Sequence, residues 1–244
     1  MNAVDPTQRR VGVIVVAGGL GQRLGLGIPK ARVLCGGISL LERAVGGVLV
    51  AGAVEHIVVV VPPGDLTLGE LVTTNSPKNT TITAVPGGTT RADSVRAGLA
   101  ALPADLHWIL VHDAARSLTP ATVFHRVLAG LGRGNRAVIP ALDVPDTIKT
   151  VRDGLVTGTL ERAALRAVQT PQGFDAPTLR AAHNGPNARE PGVTDDAMLV
   201  ELQGIPVLVV AGDQDAFKIT TPRDLLLAEA LLGANASAQE SACP

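Results

Sequence analysis

The 244-residue chain has no tyrosine, and aromatic residues make up only 2% of it. Platforms for single-stranded nucleic acid are built from aromatic rings, so a base-stacking role is not expected. Neither sign of charge dominates, because 21 Lys and Arg stand against 22 Asp and Glu for a formal net charge of −1. No global basic field points to nucleic acid. The two cysteines, Cys35 and Cys243, fit neither a metal-ligand spacing nor a disulfide framework. A reduced, cytoplasmic compartment is the expectation. No apolar run approaches the ~18 residues of a membrane span. The opening "MNAVDPTQRRVGVIVVAGG" lacks the order of a signal peptide, since its apolar run is short and breaks into glycine. Lysine is scarce: Lys30, Lys78, Lys149 and Lys218 stand against seventeen arginines, so each lysine merits inspection.

Apolar residues are plentiful, at 46% of the chain. Six β-branched runs recur: "VGVIVVA", "HIVVVVP", "TITAVPG", "HWILVHDAA", "RAVIPAL" and "IPVLVVAGD". Helix-like stretches such as "SLLERAVGGVLVAG" and "RADSVRAGLAAL" separate them. Continuous apolar strands alternating with helices predict an α/β fold, a mostly parallel sheet flanked by helices. Ligands of such sheets sit beyond the C-terminal strand ends. The segment Asp146–Phe174 breaks the rhythm, with two short alternating stretches around a turn at Asp153-Gly154. It reads as a β-hairpin arm inserted in one domain spanning 1–232. The small polar tail, 233–244, is expected to be disordered.

Five clusters follow strand ends. After the first strand come Gly18, Gly19, Gly21, Gly25 and Gly27, with Arg23 and Lys30 among them. Bare backbone lets N–H groups approach an anion. The loop is not a Walker A sequence, because Ala31 follows Lys30, and its third glycine falls one place late for a dinucleotide fingerprint. A plain structural turn remains open on this feature alone. In "PGGTTRADSV", Arg91 stands at a helix start, either solvated or facing an anion. In "ILVHDAARSL", Asp113 is placed to hold a divalent ion or a ribose hydroxyl, Arg116 follows within a turn, and His112 reads as a packed histidine. In "VTDDAMLVE", Thr194 reads as an N-cap with Asp195 and Asp196 in the first helical turn. Lys218 reads as part of a short strand before a helix starting at Thr220-Thr221-Pro222. Cations and one or two carboxylates on one sheet edge suit polyphosphate chemistry.

In order, the motifs A-G-G-x-G-x-R-(x)₆-K, G-G-(x)₂-R-x-D-S-V, V-H-D-A-A-R, D-T-I-K, T-x-E-R-(x)₇-T-P-Q-x-F, T-D-D-A and F-K-I-T-x-P-x-D-L closely resemble the 2-C-methyl-D-erythritol 4-phosphate cytidylyltransferases, over roughly residues 10–232. The resemblance implies a Rossmann-like nucleotidyltransferase fold whose β-arm makes a homodimer. It implies transfer of a cytidylyl group from CTP to methylerythritol phosphate, with Mg²⁺ and release of pyrophosphate. Arg23 and Lys30 match the family's transition-state stabilisers, and Arg162 and Lys218 match the pair that positions the acceptor phosphate. Ala17, Gly18, Gly19, Gly88, Ser94 and Ala114 match nucleotide-binding positions. Asp113 matches the acidic residue near metal and substrate, while Arg91, Arg116, Thr147, Thr170 and Thr194 match the substrate pocket. The loop departs from the family in having Gly18 where alanine is frequent. A related enzyme with a different acceptor, such as ribitol 5-phosphate, or with another nucleotide, and a nucleotide-sensing module without turnover are the alternatives. The first is addressed by the "ERAALRAVQTPQ" arm and the second by joint retention of Arg23, Lys30, Asp113 and Lys218.

Overall fold

The computed structural model describes residues 9–241, apart from Leu20, Ala53, Asn75, Ser76 and Pro191. In chain order its elements are β1 (Val11–Val16), β2 (Leu34–Cys35), β3 (Ile38–Ser39), α1 (Leu40–Ala51), β4 (His56–Val61), α2 (Leu66–Thr73) and β5 (Thr81–Pro86). Next come α3 (Arg91–Ala101), β6 (Trp108–Asp113), α4 (Ala121–Gly132), β7 (Ala137–Asp143), β8 (Lys149–Arg152) and β9 (Leu155–Thr159). The chain ends with β10 (Arg166–Val168), β11 (Gln172–Asp175), α5 (Ala176–Asn184), α6 (Asp196–Glu201), β12 (Leu208–Ala211) and α7 (Pro222–Ser241).

One mixed, mostly parallel sheet runs β10-β7-β11-β6-β1-β4-β5, with β12 also paired to β7. Strands β5, β4, β1 and β6 are mutually parallel, and β11 runs antiparallel between β6 and β7. The apolar runs of β1, β4, β6 and β7 are continuous because both faces are covered, whereas β5 and β12 are partly exposed. Along β1 the side chains divide by the strand period of two: Val11, Val13 and Val15 join the core under α1, α2 and α4, whereas Ile14 joins the core under α3, α5 and α6. Strand β6 divides the same way, with Trp108 and Leu110 on the first face and Ile109 and Val111 on the second. A third cluster, Leu24, Val33, Cys35, Leu40, Ile219 and Ala228, ties the glycine loop, β2 and α7 together.

The predicted α/β architecture and hairpin turn are present. Asp153 and Gly154 both have positive φ, 51° and 79°, as a tight two-residue hairpin loop requires. The arm is shorter than Asp146–Phe174, however. Its hairpin is β8–β9, while 166–168 and 172–175 return to pair with β7 and β6 in the main sheet. An ion pair at 3.2 Å between Arg166 and Asp143 closes the base of the arm. The tail expected from residue 233 is helical as far as Ser241, because alanine-rich sequence extends α7 after its amphipathic part. Residues 242–244, with Cys243, lie outside the described residues. Among the described residues no helix is long and apolar enough to cross a membrane.

Candidate active site

A cleft of about 300 Å³ opens at the C-terminal ends of β1 and β6 and beside the start of α3. Register explains why. Val16 pairs with Asp113, so the glycine loop and the Asp113 turn leave the sheet at one level. Ala17 N–H donates to the Val60 carbonyl and Ala114 N–H to that of Val16, which fixes the cleft floor. Ala17, Gly18, Gly19, Gly88, Ser94 and Ala114, the predicted nucleotide positions, all line the cleft.

The glycine loop folds back on itself. Lys30 N–H donates to the Gly19 carbonyl at 3.0 Å, and Gly21 takes a positive φ of 70° where a Cβ would press on the Lys30 backbone. Leu24 anchors one turn in the third core cluster, which leaves its neighbour Arg23 exposed at the cleft. The turn carrying Lys30 is pinned from behind by Arg32, which donates to Asp65 at 3.0 Å and to Thr67 at 2.6 Å. The hydrogen bond from Arg32 holds the Asp65 carboxyl at about 2. Burial lowers the Lys30 amine from its ordinary value, and Lys218 and Arg23 push it the same way. Three cations therefore crowd together, a stressed arrangement that a bound polyanion would relieve.

On the facing side, Thr90 and Asp93 form a reciprocal capping box at the start of α3. Gly88 leaves no room for a Cβ against Asp93, and its N–H donates to Ser94 Oγ at 3.2 Å. Arg91, the first residue of the helix, is paired rather than merely solvated. It donates from Nη1 to Asp196 at 2.7 Å and lies 3.5 Å from Asp113.

Asp113 is the centre of charge. Lys218 Nζ donates to its Oδ2 at 2.8 Å. Burial alone would raise its carboxyl, but the Coulomb attraction of Arg91 and then of Lys218 holds it well below the usual carboxylate range. Its backbone N–H donates to Thr170 Oγ1 at 3.0 Å. Lys218 lies in a loop after β12, not in the expected strand. Ile219 buries in the third cluster and donates its N–H to the Ala115 carbonyl, which brings Lys218 to the end of β6.

Not every predicted position reaches this cleft. Arg116 instead donates to the Ala216 and Val168 carbonyls, bracing the Lys218 loop against β10. Thr170 is buried and acts through the Asp113 backbone and His112. Thr194 is exposed and does not cap α6; Asp195 does, accepting from Met198 N–H at 3.0 Å. One residue of shift follows because the second aspartate of the pair, Asp196, turns inward to Arg91 and His183. Thr147 and Arg162 are exposed on the arm and away from the cleft lining; Arg162 donates to the Pro145 carbonyl. The sequence reads Asp196 only as a first-turn aspartate, without its pairing to Arg91 and His183, and it does not point to His183 or to the capping residue Thr90. The T-x-x-D spacing of Thr90 and Asp93 was a readable signal for the last.

For a divalent cation the cleft offers one carboxylate, Asp113, and among the described residues no group of three His, Cys, Asp or Glu is placed to hold a metal. That donor set suits Mg²⁺, which binds through one or two carboxylates together with substrate phosphates.

Known proteins similar to this chain fall in one family. Residues 11–234 match the family described as 2-C-methyl-D-erythritol 4-phosphate cytidylyltransferase. The chain is 52% identical to the protein of that name from Nocardia farcinica, over 97% of this chain and 100% of the relative. It is 53% identical to the one from Rhodococcus opacus, over 90% and 93%. Among solved structures, the 2-C-methyl-D-erythritol 4-phosphate cytidylyltransferase of Thermus thermophilus superposes with a TM-score of 0.74 at 37% identity, covering 91% of this chain and 98% of that one. The 4-diphosphocytidyl-2C-methyl-D-erythritol synthase of Anaerococcus prevotii gives 0.82 at 31% identity, covering 94% and 100%. With the family matched over residues 11–234 and relatives more than half identical over nearly the whole chain, the chain belongs to the 2-C-methyl-D-erythritol 4-phosphate cytidylyltransferase family.

Proposed function

We propose that this chain transfers the cytidylyl group of CTP to 2-C-methyl-D-erythritol 4-phosphate, giving 4-diphosphocytidyl-2-C-methyl-D-erythritol and pyrophosphate in isoprenoid precursor biosynthesis. The observation that carries the reading is the meeting of Arg23, Lys30, Arg91 and Lys218 around Asp113 in a cleft floored by bare backbone. A phosphate monoester has a second pKa of about 6, so the acceptor is largely dianionic near neutral pH and needs no general base. The obstacle is the approach of one polyanion to another. Arg23 and Lys30 neutralise charge that grows on the α-phosphate during in-line attack, and the backbone N–H groups of Gly18 and Gly19 orient the phosphate chain. Asp113 draws Lys218 to the cleft edge, where the lysine meets the acceptor phosphate. Asp113 would hold Mg²⁺ together with the substrate phosphates, and the ion would supply further charge neutralisation.

The reading includes a homodimer. The arm β8–β9 is exposed at every residue but Gly158, with Val151, Leu155 and Val156, and Leu160 just after it, in water. A two-stranded hairpin is at best marginal alone, which supports a partner subunit as its cover. Thr147 and Arg162 would then complete the partner's acceptor pocket. The free, buried Cys35 is compatible with the reducing cytoplasm. The deciding assay gives the purified protein CTP, Mg²⁺ and a panel of phosphorylated polyols, and reads pyrophosphate release. Release with methylerythritol phosphate is expected. Release with ribitol 5-phosphate in its place would reassign the acceptor, and none with any acceptor would favour a sensing role.

A further inference from the structure

Arg91 sits at the first position of α3, where its charge opposes the helix dipole, and its side chain is only 28% exposed. A cation there needs a counter-charge. The carboxylate nearer the reaction, Asp113, lies 3.5 Å from Nε, beyond a good hydrogen bond. The tight partner is Asp196, at 2.7 Å from Nη1, in the first turn of α6. Asp196 does not line the cleft and is 1% exposed. Its other oxygen, Oδ1, accepts from His183 Nε2 at 2.9 Å, and His183 is buried in α5.

One carboxylate thus joins α3, α5 and α6. With Oδ1 occupied by the imidazole, the carboxylate cannot rotate, and Oδ2 is presented to Arg91 in one direction. That direction holds the guanidinium short of Asp113. Without it, Coulomb attraction would close the 3.5 Å gap. Arg91 would then neutralise Asp113 more fully and compete with Lys218 for it.

We propose that His183 and Asp196 are positioning residues, a buried pair that holds the Arg91 guanidinium off Asp113 and so leaves that carboxylate to Lys218. The positioning stands on geometry alone; its consequence for turnover rests on the cytidylyltransferase reading.

Two substitutions at His183 separate this role from packing. His183→Leu has similar bulk and suits a buried site, but donates nothing. His183→Gln is the poorer core residue, but its amide can donate to Asp196. Positioning predicts that turnover ranks wild type, then Gln, then Leu, with kcat in the Leu variant down roughly 10–100-fold as for a misplaced catalytic group, although Leu melts no lower than Gln. Packing alone predicts the opposite order, with Leu close to wild type in both, and that outcome overturns the proposal. A second readout needs no substrate. The Arg91 Nη1–H resonance, assigned by its loss in Arg91→Lys, should exchange slowly with solvent in wild type and in Gln, and much faster in Leu, because it is Nη1 that donates to Asp196. Equal exchange in all three also overturns it. Should the Leu variant not fold, Asp196→Asn keeps the shape, removes the charge and should likewise speed exchange. A wild type that exchanges slowly yet turns over no acceptor would sink the cytidylyltransferase reading and leave the positioning standing.

Discussion

Lys30 shows how the site uses strain between like charges. The amine is half-buried, and burial together with Lys218 and Arg23 lowers its proton affinity. It contributes no core packing of its own; its neighbour Ala31 and the Arg32–Asp65 bond hold the turn. Lys30→Ala should therefore lower kcat by roughly 10²–10³-fold, the scale of one lost charge-stabilising donor, while the melting temperature stays near that of wild type. Steady-state pyrophosphate release and calorimetry check the two halves, and an unchanged kcat would remove Lys30 from the chemistry. Asp113 was legible as a candidate because it ends a buried apolar strand, and Arg23 and Lys30 because they stand in the glycine-rich loop that follows β1. Lys218 was legible only through its scarcity and the family motif, since its position depends on Ile219 burying under the loop. Asp196 was not legible. An aspartate in a first helical turn looks like capping, and only the packing of α5 and α3 against α6 shows that one of the two aspartates points inward.

At the scale of elements, β6 is joined to the crossing between β10 and β11 by one polar link. Thr170 Oγ1 accepts the Asp113 N–H, so its own proton faces His112 Nδ1 at 2.9 Å. His112 is 1% exposed, and burial lowers it to about 4 from an ordinary 6.5. The sign follows directly. Between these values the unfolded chain binds the proton and the folded one does not, so stability is complete above about pH 6.5 and falls as pH drops toward 4. The full loss is about 3 kcal/mol. Urea denaturation at pH 7 and pH 5 should show a fall of about 2 kcal/mol, and His112→Gln should flatten most of it. A slope unchanged by that substitution would assign the acid sensitivity elsewhere. The strands themselves were readable because apolar runs buried on both faces have no other use in a chain with so few aromatics. The extents of the arm were not, because β10 and β11 are short and gain their identity by pairing with β7 and β6.

At the scale of the molecule, the arm decides whether one chain is a complete enzyme. Within a single chain, Val151, Leu155 and Val156 are 60%, 72% and 62% exposed, an apolar surface with nothing of its own to cover it. The same arm and its base carry Thr147 and Arg162, which stand apart from the cleft that holds Lys30 and Lys218. A two-fold dimer would satisfy both features, burying the apolar arm and delivering Arg162 to the neighbour's cleft. Lys30 and Arg162 would then serve the same site from different chains. Lys30→Ala and Arg162→Ala proteins should each be nearly inactive. In a mixed dimer one site would carry both lesions and the other neither. With random redistribution half of all dimers are mixed, so about a quarter of the sites should recover. The measurement is pyrophosphate release from a one-to-one mixture after incubation, with subunit exchange established separately by a tag on one variant. Exchange without recovery would put Arg162 in its own chain's site or outside the reaction, and a monomer by light scattering at assay concentration would remove the arm's partner altogether.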